Sequence, residues 1–155
     1  MAILNPYISY ESAKEALAYY EDVFSAENIF RLPLTKEQAE GYNIPDENLN
    51  DTTMHGGFTV LGVQIYVSDF AAGSKNSEDN NITLMIEVDN DNEDEIKAAD
   101  DFYLRLHDSN QVEITMPYAE QFWGGKMGAF TDKYGVKWML HLPPKEVDKS
   151  AFEEA

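Results

Sequence analysis

Few side chains in this 155-residue chain can move protons: there are three histidines, no cysteine and a surplus of carboxylates. Histidine is the side chain whose protonation changes near neutral pH. His55, in Met54-His55-Gly56-Gly57, could therefore be an acid, a base or a hydrogen-bond donor in a cavity. It could equally be a sheet histidine bonded to a neighbour. His141 shares a strand face with Met139, so it could point inward or meet solvent at the strand end. His107 follows the second helix and would complement the C-terminal end of that helix's dipole. Paired with Glu87, His55 would make a general acid–base couple. Joined by His141 as well, the set would offer mixed nitrogen and oxygen donors to a metal.

Phe122-Trp123-Gly124-Gly125-Lys126 reads as a glycine-loosened aromatic loop. Glycines beside a large ring let the backbone come close to whatever that ring contacts. Trp123, with Phe122 and Tyr118, could wall a pocket for an apolar or planar ligand, or could plug a sheet edge or subunit seam. Lys126, Lys133 and Lys137 place three of the chain's 11 basic residues nearby, where they could draw in an anion. The Asp132-Lys133-Tyr134-Gly135 turn joins two strands, at 126–131 and 137–142.

The elements that must hold these groups follow from hydrophobic period. A strand is expected at 5–10. Ser12 and Glu15 then form a capping box that opens a helix to about Phe24, with Ala13, Ala16, Leu17, Tyr20 and Val23 on one face. Strands at 28–32, 53–61 and 63–70 follow, the last two as a hairpin turning at Leu61-Gly62. The second half repeats the order: a strand at 82–88, a helix at 91–106, a strand at 111–117 and the closing hairpin. Acids at Asp91, Glu93, Asp94 and Glu95 complement the dipole of that second helix. The expectation is one domain over 1–155, made of βαβββ modules at 1–70 and 82–142, a polar linker at 71–81 and a tail at 143–155. Residues 33–52 form an excursion, either a lid with a short helix near 35–42 or a plain surface loop.

A formal charge of −18, from 29 acids and 11 bases, excludes nucleic acid and anionic membrane as partners, because such a surface repels both. No stretch approaches the ~20 apolar residues that span a bilayer. No basic leader with an apolar core opens the chain, so a cytoplasmic location is expected. Asp89-Asn90-Asp91-Asn92-Glu93-Asp94 is a poor calcium loop, since Asp94 stands where glycine is required and Asp100 where glutamate is.

Asn5-Pro6-Tyr7, Met54-His55-Gly56-Gly57, Ser68-Asp69 and the run from Trp123 to Leu140 together resemble the PhnB-like branch of the glyoxalase/bleomycin-resistance/dioxygenase (vicinal oxygen chelate) superfamily. The resemblance implies an α+β fold of two βαβββ modules, each a half-barrel sheet, paired around a cavity in a homodimer. Metal-dependent members hold a divalent ion on the first and last strands of the modules. Aligned by eye, Asn5, Tyr66, Thr83 and Met139 fall at those positions, a poor ligand set for such an ion. The implied protein uses no metal or other cofactor and binds a small molecule through Tyr7, His55, Phe58, Tyr66, Phe122, Trp123 and Met139. The alternative is a lyase, isomerase or dioxygenase-like enzyme working through His55 and Glu87, with or without a metal. PhnB-like sequences have often carried a demethylubiquinone methyltransferase label. No glycine loop for a methyl-donor nucleotide is present, so methyl transfer is not expected.

Overall fold

The computed structural model describes residues 1–70 and 81–145. The linker expected at 71–81 and the tail expected at 143–155 fall almost wholly outside the described residues. The chain divides into two compact units, Met1–Asn81 and Ile82–Ala155. The first runs β1 (Tyr7–Tyr10), α1 (Ala13–Val23), β2 (Glu27–Pro33), α2 (Lys36–Ala39), a 3-10 turn (Asp46–Asn48), β3 (Thr53–Val60) and β4 (Val63–Asp69). The second runs β5 (Leu84–Glu87), α3 (Glu93–Ser109), β6 (Glu113–Glu120), β7 (Lys126–Thr131) and β8 (Lys137–Leu142). Each unit builds one four-stranded sheet, and the strand orders β1-β4-β3-β2 and β5-β8-β7-β6 are the same topology. In each, the first and last strands pair in parallel and the other pairs are antiparallel.

In the first unit, Ser12 Oγ accepts from Glu15 N at 3.3 Å, and Asp69 Oδ1 accepts from Ala13 N at 2.8 Å, so two acceptors start α1. Burial pushes the Asp69 carboxyl above its ordinary value, against the pull of the Ala13 and Thr53 N–H groups. Alternation along β3 and β4 sends Phe58, Val60, Ile65 and Val67 under α1, where they meet Leu17, Tyr20, Val23 and Phe24. Tyr20 stacks on Phe58 at 4.7 Å and meets Phe24 edge-on at 4.9 Å. Each such buried side chain contributes about 1.5–3 kcal/mol. The turn between β3 and β4 uses Leu61 and Gly62 at φ 50° and 80°, the left-handed pair that a two-residue hairpin needs.

The excursion after β2 does contain a short helix, α2, which Thr35 and Gln38 close with a reciprocal capping box. Its return end is tied down. Leu49 is buried, Arg31 donates to Asn50 O at 2.7 Å, and Lys14 pairs with Asp51 at 2.6 Å.

In the second unit, Asn92 caps α3, accepting from Asp94 N and Glu95 N, so the helix begins two residues later than its sequence suggests. It also runs further, to Ser109, and ends at Asn110 in the left-handed region. His107 therefore lies inside the last turn instead of after it. Ala99, Phe102 and Leu106 of α3 cover Ile86, Phe130, Trp138 and Leu140, with Phe130 and Trp138 stacked at 6.2 Å. β6 continues past Pro117 to Glu120, which takes Tyr118 out of the aromatic loop and into a strand.

Candidate functional site

The first unit carries four rings on the sheet face opposite α1. Tyr7 and Tyr66 sit side by side in the parallel β1–β4 register, and Gly57 stands across from Tyr66 on β3. His55, two residues before Gly57, shares that face. The Tyr7 hydroxyl lies 3.1 Å from His55 Nδ1. The imidazole stacks on Tyr66 at 5.3 Å and on Tyr7 at 5.6 Å, and Phe30 leans against it at 5.7 Å. Gly57 makes this possible, because a Cβ there would lie 2.8 Å from a Phe30 ring carbon and 2.9 Å from Ile65 O. Tyr7 is 54% exposed and Leu32 52%, so the described residues of the unit leave this face accessible.

The second unit places its own histidine similarly. Glu87 and His141 face each other across the parallel β5–β8 pair, with Glu87 Oε1 3.1 Å from His141 Nδ1. The Trp123 ring lies 5.4 Å from the imidazole, tilted by 58°. Trp123 is seated on Gly125, where a Cβ would fall 1.8 Å from the indole Cζ3. Met85 and Met139 pair in the same register, and Met127 stands opposite His141 on β7.

Tyr7, His55 and Tyr66 thus come together in the first unit, and Trp123 and Met139 lie on the corresponding face of the second. Phe58 does not belong with them. It is three residues from His55, hence on the other face, fully buried under α1. Phe122 is fully exposed in its loop and contributes to neither cluster. Glu87 finds its partner in His141, and His55 finds its own in Tyr7, so each member of the expected acid–base pair is held within its own unit. His141 is not a solvent-facing strand end, since its side chain is only 16% exposed.

Lys126 does not stand free for an anion: it pairs with Asp100 at 2.7 Å and lies 4.5 Å above the Tyr118 ring. The Tyr118 hydroxyl oxygen is buried with no hydrogen-bond partner among the described residues. Burial, with a smaller push from Asp100, raises that phenol to about 12. Phe30 was missed, and Glu87 and His141, read together only as part of a set with His55, pair directly with each other. Phe30 and Leu32 flank Arg31 at the two-residue spacing that puts them on one strand face, and that spacing was the signal available.

Of the four residues that the resemblance sets at the ligand positions of metal-dependent members, Asn5 and Thr83 precede their strands and are exposed, whereas Tyr66 and Met139 lie in strands. An amide, a phenol, an alcohol and a thioether do not fit a divalent cation. Among the described residues, no three of His, Asp and Glu gather as ligands, and no helix is long and apolar enough to cross a membrane.

No protein-family profile matches the chain. It is 25% identical over 150 residues to Protein YjdN of Escherichia coli strain K12, covering 90% of this chain and 94% of that one. Among solved structures it is similar to a PhnB protein from Bacillus cereus, with 24% identity, a TM-score of 0.58, and coverage of 92% of this chain and all of the other. It is also similar to a glyoxylase/bleomycin resistance protein/dioxygenase domain from Frankia, with 13% identity, a TM-score of 0.62, and coverage of 97% and 98%. The same strand order built twice and these likenesses agree: the chain has the glyoxalase/bleomycin-resistance fold.

Proposed function

We propose that this chain is a PhnB-like small-molecule-binding protein that works as a homodimer and needs no metal. The observation that carries the reading is the plate of Tyr7, Phe30, His55 and Tyr66, accessible among the described residues. Three phenyl or phenol rings around one imidazole give a planar ligand a large apolar contact and a single polar atom to orient it. Trp123 and Met139 supply a second such surface on the other unit. The poor donor set at Asn5, Tyr66, Thr83 and Met139 argues against dioxygenase or glyoxalase chemistry through a bound cation. Dimerisation would cover apolar side chains that stay exposed in a strongly acidic chain.

Thermal melting tests this reading. A bound ligand stabilises the folded chain by mass action, by about 2.7 kcal/mol at a hundredfold excess over Kd, and so raises the melting temperature. A panel of planar aromatic compounds is expected to contain members that shift melting in the native chain and not in Tyr66→Ala. Added zinc or manganese is expected to leave melting unchanged. A metal-dependent shift abolished by His55→Ala would overturn the metal-free reading. Sedimentation equilibrium showing only monomer at micromolar concentration would overturn the dimer.

A further inference from the structure

The face of the second unit's sheet opposite α3 holds a group that binding alone does not require. Glu87 Oε1 lies 3.1 Å from His141 Nδ1. A carboxylate can only accept there, so in the neutral imidazole Nδ1 carries the hydrogen and Nε2 the lone pair. Among the described residues nothing hydrogen-bonds Nε2. The ring cannot swing freely, because Trp123 packs against it and Trp123 is itself locked over Gly125. Trp123 contacts the imidazole, and strand register puts Met85, Met127 and Met139 on the same sheet face, side chains that favour an aromatic ring.

We infer that Glu87 and His141 form a proton-accepting dyad for a planar aromatic molecule bearing an acidic hydroxyl, a phenol in the simplest case. The ligand must donate, because Nε2 accepts. It must arrive neutral, because a chain of formal charge −18 and the Glu87 carboxylate both repel an anion. On binding, the phenol O–H bond breaks and its electron pair stays on oxygen. The proton passes to Nε2, and the Glu87 carboxylate balances the charge of the imidazolium that results. His141 touches the ligand; Glu87 is a positioning residue. The inference rests on the open faces being ligand surfaces, as proposed above.

The probe is 4-nitrophenol, whose protonated and ionised forms absorb differently, mixed with the full-length chain at a pH where the free dye is mostly protonated. The bound dye is expected to be ionised several-fold more than the free dye. Glu87→Gln keeps an acceptor for Nδ1–H but removes the charge, so the dye should bind with its ionised fraction falling back toward the free value. His141→Gln should bind it with no excess ionisation. Should that variant fail to fold, Glu87→Gln decides alone, since Glu87 is 57% exposed and tolerates change. A bound dye no more ionised than the free dye, or a Glu87→Gln spectrum equal to the native one, overturns the dyad. Failure of 4-nitrophenol to bind also overturns it. If nitrobenzene, which has no hydroxyl, still raises the melting temperature, the binding reading survives that failure; if neither compound binds, both fall.

Discussion

Trp138 donates its indole N–H to the buried carboxylate of Asp132 at 3.0 Å. The other carboxylate oxygen accepts from Tyr134 N at 2.8 Å and Val136 N at 3.1 Å, so one side chain clasps the β7–β8 turn to the core beneath α3. Replacing it strands three donors. Asp132→Ala is expected to cost about 3 kcal/mol, because buried donors left without an acceptor lose their full desolvation penalty. Asp132→Asn, which keeps an oxygen for the turn, should fall between. Urea denaturation at neutral pH measures both.

Gly125→Ala should eject the Trp123 ring. The new methyl would stand 1.8 Å from Cζ3, a distance no relaxation of the ring in place can absorb. Trp138 is buried and stays so, which leaves Trp123 to report. The expected outcome is a red-shifted tryptophan emission with little change in far-ultraviolet circular dichroism. His141 would gain exposure, visible as faster carbethoxylation at that residue.

Tyr118 offers a test whose sign is unusual for a core substitution. Its hydroxyl is buried and unpartnered among the described residues, so Tyr118→Phe removes a desolvated polar atom and should stabilise the chain by about 1 kcal/mol at neutral pH. Burial raises the phenol from 10.0 to about 12, so between those values the folded chain keeps a proton that the unfolded chain has lost. Native stability must therefore decline across that interval, and the phenylalanine variant should decline less. Denaturant titrations at several alkaline pH values compare the two slopes.

Asp69 shows the same sign at the acid end. Its carboxyl is raised from 3.8 by burial, so the folded state favours the protonated form and stability falls as pH rises through the folded value. Asp69→Asn preserves an acceptor for Ala13 N and should flatten that part of the profile. Asp69→Ala removes the acceptor and is expected to cost about 1 kcal/mol. Thermal melts from pH 3 to pH 7 separate the three.

Much of the architecture was legible because local period and local turns specify it. β7 and β8 end where expected, since alternation and the Asp132–Gly135 turn bound them on both sides. β6 overran its expected end because Pro117 reads as a stop. It is an edge strand, where a missing N–H need not break the ladder. The late end of α3 was signalled by Asn110, a residue at home in the left-handed cap. Alternation brought Tyr7, His55 and Tyr66 to one face. The same rule sends Phe58 to the other, since an odd spacing along a strand reverses the side. Glu87 and His141 meet only through a parallel pairing between residues 54 positions apart, and no local pattern encodes that.

A chain that repeats one strand order has two scaffolds on which to evolve. Because β1 and β4 bring tyrosines together where β5 and β8 bring methionines, a glutamate and a histidine, the halves have already specialised. Each face is held by its own sheet, so a substitution on one need not disturb the pairs and stacks that build the other.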